Sequence, residues 1–291
     1  MRTAIALVTT ILLWGAGFAA IRTALTAFQP VDLAAMRYLV ASLALAAYAV
    51  VARPRVPAPG DLLRLGVGGA LGIAVYSIFL NLGERTVNAG TASFLMSTTP
   101  AFTAAFGLVI LGERLRGWGW IGMAISVTGI GILALSGSGL RVNIGALYVL
   151  LAALSTSVLF ILQKPVMLRH GPLAVTSWVI WTGTLPLLPF MRSGLIAATH
   201  ASSEALAAQL FLGLGPAALA YVTWAYTMSR MPAAQAASFL YLVPPVATLV
   251  AFVWLGEIPS PIALFGGALA LGGVLVVNTL GRPAQPIVAT P

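Results

Sequence analysis

The chain of 291 residues is 60% hydrophobic and 7% charged, with a mean hydropathy of +1.01. Soluble domains carry about 25% charged residues, so an ordinary water-soluble fold is excluded and a polytopic membrane protein is expected. The net charge of +9 comes from 15 Lys and Arg set in many short connections, the pattern of topology determinants and not the clustered patch that a nucleic acid requires. The absence of cysteine excludes a disulfide framework, a thiol nucleophile and a thiolate metal site.

A helix needs about 20 largely apolar residues to cross a bilayer. Ten such segments follow one another at 4–24, 31–51, 65–83, 89–111, 118–137, 144–163, 173–192, 207–228, 233–255 and 262–280. Arg2 before an apolar run imitates a signal peptide, but the run is longer than a signal core and reads as a retained first span. Turn chemistry or charge separates the segments at Gln29-Pro30, Arg53-Pro54-Arg55, 139–141, 170–172, Met231-Pro232 and Ser260-Pro261. No run alternates with period 2, so strands are not expected. With the N-terminus inside, Arg2, Arg53, Arg55, Arg64, Arg114, Arg116, Lys164, Arg169, Arg230 and Arg282 lie in the cytoplasm. Only Arg22, Arg37, Arg85, Arg141 and Arg192 then lie on the other side, which favours both termini inside.

The chain repeats itself. ASFLMSTTPAF at 92–102 returns as ASFLYLVPPVA at 237–247, and each stretch leads to Leu-Gly-Glu, at 111–113 and 255–257. Phe18 and Pro30 match Phe160 and Pro172; Tyr76 and Arg85 match Tyr221 and Arg230; Gly122 and Gly129 match Gly266 and Gly273. Two five-span halves are expected, 1–139 and 140–281, followed by a cytoplasmic tail at 282–291. Five is odd, so the second half enters the membrane with opposite polarity, the inverted arrangement common among transporters.

These features resemble the EamA-like branch of the drug/metabolite transporter superfamily, and within it the YddG-type exporters of aromatic amino acids. The stretch LWGAGFAAI at 13–21 carries the first-span pattern, whereas its counterpart TSVLFILQK at 156–164 has diverged. The resemblance implies an all-α membrane protein of ten transmembrane helices, arranged as two inverted five-helix repeats around a central cavity. That cavity would be lined by spans one, three, four, six, eight and nine.

Among the residues themselves, Asp32, Asp61, Glu84, Glu113, Glu204 and Glu257 are the only carboxylates, each at a span end or in a connection. Proton and sodium coupling commonly use an intramembrane acid, so a facilitator or exchanger is expected ahead of an ion-coupled pump. Pro100, Pro244 and Pro245 are expected to bend spans four and nine into gate helices, with Ser97, Thr98 or Thr99 taking up the freed carbonyl in the first copy. Ser93, Met96, Ser97, Thr99 and Ser157 offer one hydrogen-bonding flank of the cavity; Ser238 and Tyr241 lie on the more apolar counterpart. Tyr76 with Phe79 and Tyr221 with Trp224, each at i and i+3, share a helix face. Trp14 and Phe18 do likewise at i and i+4, and Phe160 repeats Phe18. Such rings suit a small amphipathic or aromatic substrate. Arg22, Lys164, Glu113 and Glu257 are candidate gate charges, while Arg37, about two turns inside span two, should find a carbonyl, a carboxylate or water. The glycines are expected to permit close helix contact and bind nothing.

An enzyme is disfavoured, because His170 and His200 are read as lying in loops and no HExxH pattern or buried base for a serine is present. No metal or other cofactor is expected. The expected function is alternating-access export of amino acids, aromatic or hydrophobic ones foremost, or of related small metabolites, by uniport or exchange. Proton-coupled drug or metabolite efflux is the alternative and an intramembrane enzyme a remote one. The expected partners are a small-molecule substrate and the lipid bilayer, with no nucleic acid, in a monomer of the bacterial cytoplasmic membrane.

Overall fold

A computed structural model describes residues 1–54, 56–110, 117–135, 143–228, 230 and 239–280. Glu113, Ser238 and the tail at 282–291 lie outside the described residues. Among the described residues there are helices and no strand. In chain order they are α1 (Arg2–Ala24), α2 (Pro30–Ala52), α3 (Pro59–Gly69), α4 (Tyr76–Gly83), α5 (Ala89–Met96), α6 (Thr99–Ile110), α7 (Gly117–Leu135) and α8 (Ile144–His170). They continue with α9 (Pro172–Thr184), α10 (Met191–His200), α11 (Ser203–Leu214), α12 (Ala220–Met228), α13 (Val243–Leu255) and α14 (Pro261–Thr279).

The sequence marks the helix starts with two devices. Pro30, Pro59, Pro172 and Pro261 stand at first helical positions, where a missing N–H costs nothing. Asn88, Asn143, Ser202 and Ser260 accept hydrogen bonds from the amides of Thr91, Gly145, Ala205 and Ala263 at 2.8, 2.8, 3.2 and 3.2 Å, capping the next helix. Among the described residues, six helical stretches are long and apolar enough to cross a membrane: Arg2–Ala24, Pro30–Val51, Pro59–Gly83, Ile144–Met167, Leu173–His200 and Ser203–Thr227. Shorter apolar helices cover Gly117–Leu133, Leu240–Leu255 and Pro261–Val277.

Several expectations need correction. The seventh segment does not end at 192: a 3-10 turn at Leu185–Phe190 carries the chain into α10. Two prolines, Pro186 and Pro189, tighten this turn without ending the helical path. His170 and His200 are consequently the last residues of α8 and α10 and do not lie in loops. The prolines of spans four and nine stand beside breaks in the helical path. Pro100 is the second residue of α6, and Pro244 and Pro245 follow Val243 in the first turn of α13. Prolines are tolerated there because first-turn amides have no intrahelical acceptor. The helical path is broken just before them, at Ser97-Thr98 and at the 3-10 turn Leu240–Leu242.

Two further irregularities occur at matching places. A π-helical stretch, Ala70–Val75, joins α3 to α4, and another, Gly215–Leu219, joins α11 to α12. Tyr76 and Ala220-Tyr221 come immediately after them.

One hydrophobic cluster centres on Phe18, Ile21, Leu33, Leu80, Phe94, Leu95 and Leu212; a second on Tyr38, Leu65, Ile73, Leu159, Ile180 and Leu187. Helices α7 and α14 pack backbone against backbone. A Cβ added at Gly122 would lie 2.7 Å from the Gly273 carbonyl oxygen, and one at Gly129 would lie 2.6 Å from that of Gly266. The pairing of 122 with 273 and 129 with 266 runs antiparallel, and only glycine lets the backbones approach so closely.

Candidate functional site

Helices α1 and α12 meet along a stripe of hydroxyls and rings. The Thr10 and Thr223 hydroxyls are 2.7 Å apart. One turn on, the Trp14 ring meets Tyr221 edge-on at 5.6 Å and Trp224 tilted at 5.7 Å. The Trp14 indole N–H donates to the Pro216 carbonyl at 3.1 Å, inside the second π-helical stretch. That bond fixes the ring's orientation and satisfies a carbonyl in irregular backbone. Trp14, Tyr221 and Trp224 are each only partly buried, and Tyr221 also packs against the second core cluster.

The remaining candidate aromatics separate. Tyr76 joins the cluster's edge: it and Tyr221 are both electrostatic neighbours of the Arg37 guanidinium. Phe79 stacks instead on Tyr148 of α8, at 5.9 Å and 14°. Phe18 is buried in the first core cluster and Met96 packs against it. Phe160 points outward, 39% exposed, which removes it from the cluster. Tyr241 is partly buried in its 3-10 turn.

The hydroxyl flank is largely occupied with backbone. Ser93 donates to Gly90 O, Ser97 to Ser93 O, Thr98 to Leu95 O and Thr99 to Met96 O, at 2.6 to 3.0 Å. Met96 O is the carbonyl that Pro100 cannot serve, so the Thr99 hydroxyl replaces the missing amide. Ser157 of α8 reaches Thr99 O at 3.0 Å and its own Ala153 O at 2.8 Å, holding the broken span against α8. These hydroxyls therefore shape the helix break instead of presenting free donors. Ser97→Ala should alter apparent substrate affinity by less than about threefold and stability by at most about 1 kcal/mol, as measured by transport kinetics and thermal unfolding.

Charged side chains tie the two ends of the bundle. At one end Gly256 ends α13 in the left-handed region, φ 67°, and turns the following Glu257 back over the helices. Its carboxylate accepts from Arg22 Nε at 2.9 Å and from the Ala89 amide at 2.8 Å. One carboxylate thereby joins the end of α1, the start of α5 and the end of α13. Arg22 Nη1 also donates to the Glu84 carbonyl oxygen. At the other end Asp61 in the first turn of α3 pairs with Arg169 and, at 3.1 Å, with His170 Nε2 at the end of α8. Lys164, the repeat counterpart of Arg22, is exposed. The other candidate gate charge, Glu113, lies outside the described residues, as does Ser238.

One buried charge was placed wrongly by sequence reasoning. Glu84 follows α4 by one residue, the position of a loop end, yet its exposure is 0% and neither carboxylate oxygen has a hydrogen-bond partner among the described residues. The expectation that the chain offers no buried carboxylate is therefore corrected. Burial pushes the Glu84 carboxyl well above the usual carboxylate range; Arg22 opposes this, Glu257 reinforces it and Arg37 opposes it. Arg37, expected inside span two, is 4% exposed; it bonds the Tyr76 side chain and lies 5.4 Å from the Tyr38 ring centroid, while its Nε and Nη1 have no hydrogen-bond partner among the described residues. A signal was present: a charge two turns inside an apolar helix, and Ser77, Asn81 and Glu84 at i, i+4 and i+7 along one helix face.

The comparisons agree with this architecture. A family model described as the EamA-like transporter family matches residues 1–135 and again 143–279. The chain is 42% identical over 283 residues to a protein of Streptantibioticus cattleyicolor described as a "probable terminal-alkyne amino-acid exporter", covering 95% of this chain and 94% of that one. It is 30% identical over 284 residues to a "probable amino-acid metabolite efflux pump" of Salmonella typhimurium, covering 93% and 92%. A solved crystal structure aligns with a TM-score of 0.61 over 96% of both chains at 22% identity, a likeness of fold alone. With the family model matching twice along almost the whole chain, this protein belongs to the EamA-like transporter family.

Proposed function

We propose that the protein exports amino acids with aromatic or other unsaturated, apolar side chains, or closely related metabolites, from the cytoplasm of a bacterial cell. The observation that carries this reading is the partly buried box of Trp14, Tyr221 and Trp224, with Tyr221 a neighbour of the buried Arg37. Rings offer contact area at little entropic cost, and charged groups inside a membrane bundle mark substrate or ion pathways. Relatives described as exporters of amino acids and of amino-acid metabolites support the same class.

The working arrangement is two inverted five-span halves, 1–139 and 140–281, with both termini in the cytoplasm. It is supported by the paired π-helical stretches, by the paired helix breaks and by the antiparallel glycine seam, which a twofold exchange of the halves maps onto itself. Inverted copies that exchange conformations give outward-facing and inward-facing states of similar energy. In this orientation the Arg22, Glu84 and Glu257 end faces outward, and Glu257 closes the outer mouth. Uniport or exchange is the simplest mode; the buried Glu84 is the specific observation that favours proton coupling as a second mode.

The test is flux in liposomes, with labelled Phe, Trp, Met, Thr, Lys, Glu and an amino acid bearing a terminal alkyne, with and without an imposed proton gradient. Selective flux of Phe, Trp and the alkyne amino acid is expected. Flux without a gradient identifies a facilitator, and flux that requires one assigns coupling. Movement of none of the seven rejects the amino-acid assignment.

A further inference from the structure

Buried polar atoms without partners are few in native proteins, and each such atom calls for an explanation. Here they concentrate. Of eleven such side-chain atoms among the described residues, seven belong to neighbouring positions of α2 and the α4 end: Arg37 Nε and Nη1, Tyr38 Oη, Ser77 Oγ, Asn81 Oδ1, and both oxygens of Glu84. The two helices run side by side, and Asn81 Nδ2 ties them by donating to the Pro30 carbonyl at 2.8 Å. Arg37 lies two turns from that point along α2, and Glu84 lies at the opposite side of it, just past α4. The two groups are electrostatic neighbours, yet neither satisfies the other: Arg37 bonds Tyr76 and lies over the Tyr38 ring, and the Glu84 oxygens have no hydrogen-bond partner among the described residues.

A buried ion pair in contact would be a structural tie; a buried guanidinium and a buried carboxyl that do not bond each other are a different object. Buried polar atoms left without partners are destabilising, and Arg37 Nε and Nη1 together with both Glu84 oxygens call for a compensating occupant. The occupant must carry a negative group for Arg37 and a positive group for Glu84, and be small enough to bridge neighbouring groups. It must also extend an apolar or aromatic part toward Tyr221, which adjoins Arg37 on one side and Trp14 on the other. We propose that Arg37 and Glu84 form a zwitterion clamp, the guanidinium receiving the α-carboxylate and the Glu84 carboxylate receiving the α-ammonium of a substrate whose side chain lies against the Trp14, Tyr221 and Trp224 box.

The clamp rests on the reading of the protein as an amino-acid carrier and adds to it the residues that read the head group. It also gives the outer tie a specific place, because Arg22 donates both to Glu257 and to the Glu84 main chain, roofing one pole of the site. The charged groups facing Glu84 are Arg22 from α1, Arg37 from α2 and Glu257 from the end of α13. With these four side chains ionised the site is neutral, and a zwitterion keeps it neutral whereas an anion or a cation does not. Burial favours the protonated form of an empty Glu84, so a proton and the substrate ammonium compete for the same carboxylate. Loading the substrate releases that proton, and acidification weakens binding.

The experiment is competition against labelled phenylalanine flux in liposomes. The competitors are unlabelled phenylalanine, 3-phenylpropionate, which lacks the ammonium, and 2-phenylethylamine, which lacks the carboxylate. The clamp predicts that each truncated competitor is at least about tenfold weaker than phenylalanine, since 3-phenylpropionate forgoes the bond to Glu84 and 2-phenylethylamine leaves the Arg37 guanidinium without its anion. Glu84→Gln should bring 3-phenylpropionate to within about threefold of phenylalanine, and Arg37→Gln should do the same for 2-phenylethylamine. If either variant fails to fold, the wild-type series still decides the question. Truncated competitors equal to phenylalanine in the wild type, or a folded Glu84→Gln protein with unchanged discrimination, overturn the clamp alone. Absence of any amino-acid flux or binding in the wild type overturns the carrier reading, and the clamp with it.

Discussion

Glu257→Ala should open the end of the bundle at which Arg22 lies. The carboxylate makes two charge-assisted bonds, to Arg22 Nε at 2.9 Å and to the Ala89 amide at 2.8 Å, so its removal detaches α1, α5 and α13 from one another together. A hydrogen bond to a charged group contributes about 1.5–3 kcal/mol. Because the Arg22 side chain is 32% exposed, screening places the Arg22 bond at the low end of that range. Losing even one such bond from the closed state alone shifts the open population by about tenfold. The protein has no cysteine, so a single reporter thiol can be introduced without background. Ser93→Cys places one a turn inside Ala89, at a side chain 1% exposed whose hydroxyl bonds only the Gly90 carbonyl. With Glu257 present, a membrane-impermeant thiol reagent should label this position slowly; with Glu257→Ala, at least about tenfold faster. Asp61→Asn, which cuts the tie to Arg169 and His170 at the opposite end, should leave labelling from the outside unchanged or slower. Equal labelling with and without Glu257 would show that the tie holds no gate.

What the sequence revealed and what it concealed divide along physical lines. Helix existence was legible because ten apolar runs stand between proline, asparagine and serine start signals, and Pro30, Pro172 and Ser260-Pro261 open helices in the structure as that chemistry requires. The Trp14, Tyr221 and Trp224 grouping was partly legible, since spacing puts rings on one face, but spacing cannot say which face meets which helix. Phe79 stacks on Tyr148 and Phe160 faces outward for that reason. The effect of proline depends on where the helix restarts: the path breaks at Ser97-Thr98, which puts Pro100 in the first turn of α6, and the Thr99 hydroxyl takes the Met96 carbonyl that its missing amide leaves. Glu84 was misread because a residue just past a helix end is ordinarily at the surface. Here the turned-back Glu257 and the Arg22 side chain cover it, from parts of the chain more than sixty residues distant on either side in sequence. Tertiary covering of that kind leaves no local signature.

The largest effect on folding is expected at the glycine seam between α7 and α14. A Cβ on Gly273 would lie 2.5 Å from the Gly122 carbonyl oxygen, and one on Gly129 would lie 2.6 Å from that of Gly266. These obstacles are backbone, which cannot rotate aside as a side chain can, so the helices themselves must separate. Overpacking of a flexible core costs about 1–3 kcal/mol; separating two helices along four glycines loses their dispersion contacts too, and in a bilayer those contacts are the main attraction between helices. Gly273→Val should therefore lower the apparent melting temperature in detergent by about 10 °C or more and broaden the size-exclusion peak. Gly272→Val is the control: a Cβ there meets nothing within 4 Å, and the substitution should leave the melting temperature within about 2 °C. The seam also tests the proposed symmetry. If the halves are related by a twofold axis through this helix pair, Gly129→Val and Gly273→Val are the same injury delivered from opposite sides and should cost similar stability. A large loss from one with none from the other would mean that only one half depends on the close approach, and that the repeat written in the sequence is not a repeat in the energetics.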